Sequence, residues 1–243
     1  MSSLPCKLRP FLTAEWRHLA MFNYPVDPGL LEPHVPPGTT LDTYQGKVYV
    51  SIVGFLFLNT RVFGVRVPFH VDFEEINLRF YVRRFADGDW RRGVVFIKEI
   101  VPRQAIAGIA RWLYNERYVA LPMSHEVAVQ EAGIKVEYRW QHASKWQVMK
   151  ASGNGKSITV QPGSLEEFIT EHYWGYVLQK NGSALEYKVD HPRWNIWRAE
   201  NAALDCDIAT VYGAQFAPFL IEPPTSAFIA DGSAVTVYRG AKL

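Results

Sequence analysis

The sequence predicts an α+β fold in which antiparallel strands dominate and curl into a sheet or barrel, flanked by a few helices. Three observations carry this. Residues 75–83 alternate between polar and apolar side chains, the period-two signature of a strand. Turn pairs such as Asp87-Gly88 and Asn154-Gly155 punctuate the chain, as hairpins require. Strong helical spacing is confined to two segments, so strands do not alternate with helices as in a doubly wound parallel fold.

In chain order, 15–26 reads as an extended aromatic and aliphatic run. Asp27-Pro28 opens a short helix through Leu31, stopped by Pro33, Pro36, Pro37 and Gly38. Gly46 separates strands at 40–45 and 47–58. Asp87-Gly88 joins the 75–84 strand to a strand at 93–100. Pro102 starts a helix over 103–115, with Ala105, Ile106, Ile109, Trp112 and Leu113 at core spacing. Strands follow at 127–140 and 146–160, with Asn154-Gly155 as a hairpin turn. Ser164 and Glu167 form a capping box for a helix over 164–180, which Asn181-Gly182 ends. Strands at 184–190, 196–202, 208–215 and 234–239 complete the chain.

The chain has 243 residues, 48 % hydrophobic and 21 % charged, and no linker or repeat divides it. It reads as a single domain over 1–243 with a sizeable core. Its 8 Trp, 12 Tyr and 14 Phe suit barrel interiors and ligand pockets. A net charge of +2 with dispersed arginines argues against a nucleic-acid partner. The densest basic group, Arg83, Arg84, Arg91 and Arg92, is interleaved with Asp87 and Asp89 and reads as a solvated hairpin tip. Cys6 and Cys206 lie too far apart in sequence to suggest a zinc site or a disulfide framework. The N-terminal segment lacks an apolar signal region, and the longest apolar run, 48–58, is too short to span a bilayer. These features predict a cytoplasmic protein without a membrane partner; oligomerisation stays open.

The strand at 75–84 carries the functional question. Ile76, Leu78, Phe80 and Val82 form one face; Glu75, Asn77, Arg79, Tyr81 and Arg83 form the other. On an open sheet the polar row faces water. In a closed one it lines a cavity. Glu75 and Arg79 stand about 13 Å apart along the strand, too far for a direct pair, so each needs another partner, such as Arg17 or Arg111 for Glu75. An arginine in a pocket suits a carboxylate ligand, because its fork matches two oxygens. His172 shares a helical face with Leu165, Phe168 and Ile169. His191 precedes Pro192 and is therefore extended, near Trp194; it ties a loop to the barrel or acts as an acid/base. His70, Asp72 and Glu74 alternate as metal ligands would, but Pro68 nearby makes a loop end equally good, and no metal or other cofactor is predicted. Gly153-Asn-Gly-Lys-Ser157 lacks the first glycine of a phosphate-binding loop.

Several segments together resemble the YqjF-like family of uncharacterised proteins. They are Trp16 to Pro37, Phe73 to Val82 (F-E-E-I-N-L-R-F-Y-V), Gly93 to Ile97, Ala110-Arg111 with Tyr118, Leu165 to Tyr173 and His191 to Trp194. That family is similar to the acetoacetate decarboxylase-like superfamily. The resemblance implies a curled antiparallel β-barrel with a central pocket and flanking helices, and places the polar row inside. Acetoacetate decarboxylases work through a Schiff-base lysine with a depressed pKa. Here Ala105-Ile106-Ala107, Arg111, Tyr118 and Leu121-Pro122 follow the family pattern, and Met123 takes the nucleophile's place. No lysine occurs between Lys98 and Lys135. Lys98 or Lys47 would have to reach in from another strand. The same resemblance puts Arg17 beside the pocket.

The sequence thus supports a small-molecule barrel without imine chemistry, binding a small carboxylate or carbonyl compound through Arg17, Asn77, Arg79, Tyr81, Arg111, Met123 and His172. A second reading is a lyase, hydratase or isomerase on a small keto acid, with Glu75, His191 and Tyr118 moving protons. A third is a structural or interaction protein whose polar row faces solvent.

Overall fold

The computed structural model describes residues 9–68, 70–102 and 118–243. The 103–115 helix, Arg111 and Cys6 lie outside the described residues. The chain opens with β1 (Pro10–Val26), then α1 (Pro28–Leu31), β2 (Thr40–Leu41), β3 (Val48–Val62), β4 (Phe73–Ala86) and β5 (Asp89–Val101). Next come β6 (Tyr118–Ala120), β7 (Met123–Gln130), β8 (Gly133–His142), β9 (Lys145–Asn154) and β10 (Ile158–Thr159). They are followed by α2 (Leu165–Thr170), β11 (Trp174–Leu178), β12 (Ala184–Asp190), β13 (Asn195–Arg198) and β14 (Ala203–Asp205). The chain ends with α3 (Ile208–Val211), α4 (Ala217–Leu220), β15 (Ser226–Tyr238) and β16 (Ala241–Lys242).

The large sheet runs β15-β1-β3-β4-β5-β11-β12, and β12 pairs back onto β15. It is a partly closed ring of strands rather than a full barrel. The long strands β1, β3, β4 and β5 pair antiparallel over most of their length. Closure is thin by comparison: β5 meets β11 in parallel only at Gly93–Trp174 and Val94–Gly175, and β12 meets β15 only at two residue pairs. A second sheet, β14-β9-β8-β7, packs on the outside of the ring.

This arrangement buries both faces of β4. Ile76, Leu78, Phe80 and Val82 are fully buried with Val136, Tyr138, Trp140 and Met149 of the second sheet. Such double burial is unusual for an antiparallel strand. It leaves Glu75, Asn77 and Arg79 pointing inward, into the ring.

The Asp87-Gly88 hairpin forms as read, with both residues at positive φ (53° and 85°), the geometry of a type I′ turn. Other elements differ from the reading. The 164–180 helix stops at Thr170. Ser164 caps it through Glu167 N at 3.2 Å, but Trp174-Gly-Tyr-Val-Leu is rich in strand formers and pairs with β12. Asn181-Gly182 is therefore a hairpin turn, Gly182 at φ 80°, and not a helix end. Residues 208–215 form no strand: Ile208–Val211 are helical, with Asp207 capping Thr210 N at 3.2 Å, and a 3-10 turn follows at Ala214–Phe216. Residues 127–140 fold into the β7–β8 hairpin. Asn154-Gly155 does not join paired strands, since β10 crosses to β13. The 40–45 strand is reduced to β2.

Candidate functional site

A cavity of about 150 Å³ lies inside the ring. It is framed by β1, β3, β4, β5 and β6, and closed by α2, β11, β12 and the 191–194 segment. A dry cavity of this size holds a molecule such as benzene. Most of the wall is apolar. The polar groups converge from β4 and its neighbours: Glu75, Asn77, Arg79, Glu99, Tyr118 and His172.

Glu75 is 2 % exposed. Asn77 Nδ2 donates to its Oε1 at 2.9 Å, and Tyr118 Oη donates to its Oε2 at 3.5 Å. Burial pushes the Glu75 carboxyl up to about 7, against the opposing pull of Asn77, Arg79 and Tyr118. It is thus poised to hold or lose a proton near neutrality.

Arg79 is 9 % exposed. Its Nη2 lies 4.0 Å from Met21 Sδ, and its head sits 5.8 Å from the Tyr81 ring centre. Met21 is opposite Val53, which is opposite Asn77. The guanidinium therefore reaches back along the cavity toward Glu75. No carboxylate of the described residues forms an ion pair with it within 4.0 Å, and its Nε has no hydrogen-bond partner among them. Asn77 Oδ1 is in the same position. Buried polar atoms of this kind call for a partner.

His172 seals this end. Its Nε2 stands 3.4 Å from Asp42 Oδ2, and Asp42 accepts from Arg92 Nε at 2.7 Å. Burial pushes His172 down to about 4, Asp42 opposing and Arg92 and Arg79 assisting. Burial works to raise Asp42, but His172 close beside it and the Arg92 hydrogen bond outweigh this and hold the carboxyl at about 2. At neutral pH the pair is a neutral imidazole beside a carboxylate.

Tyr81 lies outside the cavity lining. Its hydroxyl donates to Ser51 Oγ at 2.6 Å, since Ser51 spends its own proton on Asn23 Oδ1 at 2.6 Å. Tyr81 packs beneath His172, with ring centres 4.6 Å apart. His191 lines the wall, stacked on Trp194 at 4.2 Å, with Nδ1 2.9 Å from Pro192 O. Burial lowers its pKa. The aromatic stack gives it a fixed place in the wall.

Two further residues read as pocket contacts also lie elsewhere. A bulge at His18 (φ 56°) shifts the phase of β1, so Trp16 and Leu19 line the cavity. Arg17 instead binds Glu15 at 2.6 and 2.9 Å and Gly232 O at 3.3 Å. Met123 is on β7, opposite Trp140, and packs into the core outside the ring. Lys98 faces away from the cavity and its Nζ donates to Val211 O. Lys47 is exposed. No lysine of the described residues lines the cavity, and residues 103–117 contain none.

Other candidates disperse. His70 reaches the cavity rim, Asp72 accepts from Asn59 N at 2.8 Å, and Glu74 pairs with His125 at 2.6 Å. The basic group is tied down rather than solvated: Arg91 binds Asp87 and Glu186, Arg84 binds Glu186, and Arg83 covers Trp90.

Glu99 is a cavity residue that the alternation missed. It is 1 % exposed and opposite Asn77. A bulge places Leu78 opposite Lys98 but Arg79 opposite Phe96, so the extra residue, Ile97, turns Phe96 and Glu99 to the same side. Simple alternation puts them on opposite faces. Two carboxyls thus share one enclosed space.

The fold agrees with the comparisons. A family model described as an uncharacterized conserved protein, DUF2071, matches residues 13–234. The chain belongs to that family. The uncharacterized protein YqjF of Bacillus subtilis (strain 168) is 28 % identical over 204 residues, covering 82 % of this chain and 79 % of YqjF. Among solved structures, acetoacetate decarboxylase from Legionella pneumophila superposes with a TM-score of 0.67 at 14 % identity, covering 99 % of this chain and 92 % of that one. An acetoacetate decarboxylase-like enzyme from Sphingomonas wittichii RW1 gives 0.66 at 13 % identity, over 97 % and 94 %. The enduracididine biosynthesis enzyme MppR, complexed with pyruvate, gives 0.63 at 14 % identity, over 99 % and 93 %. At these identities the DUF2071 chain shares a fold with them.

Proposed function

We propose that the cavity binds a small carboxylate or carbonyl compound, held by Arg79 and Asn77, without forming an imine. The observation that carries this is Arg79: a buried guanidinium, directed into an enclosed space, with no ion pair among the described residues. Holding it there is costly unless an anion completes it. Glu75 tunes the site. When protonated it leaves Arg79 free to take an anion; when ionised it competes. The MppR complex with pyruvate makes a 2-oxo acid a sensible first probe. Among the described residues the wall supplies no lysine for a Schiff base.

Calorimetric titration with pyruvate and acetate tests the reading. Saturable binding, weakened at least a hundredfold in Arg79→Met, supports it. Binding that ignores Arg79, or the absence of binding at pH 6, overturns it. Borohydride reduction in the presence of pyruvate leaves the mass unchanged on this account.

A second reading follows from Glu75 alone. A carboxyl near pH 7 beside Tyr118 is suited to removing a proton next to a ligand carbonyl. Exchange of the pyruvate methyl protons in heavy water, lost in Glu75→Gln, supports acid–base catalysis. No exchange above the buffer rate leaves binding alone.

A further inference from the structure

The far end of the cavity has a different chemistry from the Arg79 end. Phe57 and Phe73 stack with ring centres 4.6 Å apart and planes within 11°. Trp16 meets Phe55 and Phe57 edge-on at 5.6 and 5.8 Å. All four rings line the cavity. The Arg79 head reaches back to the level of Asn77, and Phe73 is four residues before Asn77 on β4, about 13 Å of strand, so the rings lie beyond the guanidinium anchor on the side toward which it points. A two- or three-carbon acid on Arg79 leaves this aromatic section unfilled.

The same section holds two buried polar atoms without hydrogen-bond partners among the described residues, Trp16 Nε1 and Thr60 Oγ1. Both residues line the cavity. Trp16 lies opposite Phe57 on β3, and Thr60 is three residues further along that strand. An indole N–H buried among rings favours an oxygen acceptor.

Building on the carboxylate reading, we infer that the ligand is an aryl carboxylate carrying an oxygen on its ring. The carboxylate meets Arg79, the ring lies among Trp16, Phe55, Phe57 and Phe73, and the ring oxygen takes the Trp16 N–H and the Thr60 hydroxyl. Flat rings prefer such edge and offset contacts.

Titration of the whole chain with acetate, phenylacetate and 4-hydroxyphenylacetate tests this. We expect phenylacetate to bind at least tenfold tighter than acetate, and 4-hydroxyphenylacetate tighter still. We expect the advantage of the hydroxyl to shrink to less than twofold in Thr60→Val, a change of similar shape. Equal binding of acetate and phenylacetate overturns the inference while leaving the carboxylate reading intact. A ring that helps with a hydroxyl that does not overturns the assignment of Trp16 and Thr60. Failure of all three acids to bind overturns both readings together.

Discussion

Glu75 and Arg79 share one face of β4, four residues apart, buried in one cavity, and no ion pair joins them. Asn77 stands between and gives its amide N–H to Glu75 at 2.9 Å. The carboxyl is thus held by a neutral group and the guanidinium faces open space. This separation is the basis of the predictions.

Arg79→Met abolishes carboxylate binding but does not destabilise the fold. Removing a buried cation without an ion pair takes away a desolvation penalty, and the methionine stem fills similar space. A thermal melt at or above that of the natural protein, together with lost binding, is the expected result.

Carboxylate affinity rises as pH falls through about 7, because Glu75 becomes neutral and stops competing for Arg79. Glu75→Gln makes the profile flat. Titrations between pH 5.5 and 8.5 measure it.

Stability carries the opposite signature of a raised carboxyl. The folded chain keeps the Glu75 proton up to about 7, while the unfolded chain loses it near 4.5. Stability therefore falls as pH rises from about 4.5 to about 7. The natural protein gives up about 3 kcal/mol across that window. Glu75→Gln is more stable than the natural chain at pH 8 by a comparable amount, in urea titrations. His172 acts in the other direction: its folded value near 4 makes stability fall as pH drops below 6.5, so the two slopes oppose each other where they overlap.

Much of this was legible in sequence, because residues 75–83 of β4 obey period two. The shared face of Glu75, Asn77 and Arg79, the Asp87-Gly88 turn and the capped start of α2 follow from local chemistry, whereas the inward direction of that face is implied only by the family resemblance. Bulges are where the reading fails. The shift at Ile97 turns Glu99 inward against simple alternation, and the shift at His18 goes with Arg17, which the resemblance puts beside the pocket, facing away from it. They depend on cross-strand register, which single-strand patterns do not carry. The 164–180 helix fails for a related reason: β11 exists because β12 and β5 are there to pair with it.

Gly93→Ala weakens the thin closure between β5 and β11. A Cβ at this position would lie 2.6 Å from Trp174 O and 2.6 Å from Tyr176 Cε2. Neither the backbone nor the ring wall can yield without moving β11. The expected loss is about 2 kcal/mol, with hydrogen exchange at 174–178 accelerated more than in β3.

Asp42→Asn costs about 1–3 kcal/mol, since it leaves Arg92 and His172 without their shared carboxylate. The Asp42 contribution is present above its ordinary value of 3.8 and is lost as pH falls toward 2. The variant therefore shows a flatter acid limb in denaturation at pH 2–4.

The most direct measurement is a crystal structure of the protein grown at pH 6 with pyruvate. The account predicts pyruvate in the ring, its carboxylate within hydrogen-bond distance of the Arg79 guanidinium and its carbonyl carbon not bonded to any nitrogen. Pyruvate covalently joined to a lysine, or Arg79 paired with Glu75 or Glu99 in a cavity without ligand, would contradict it.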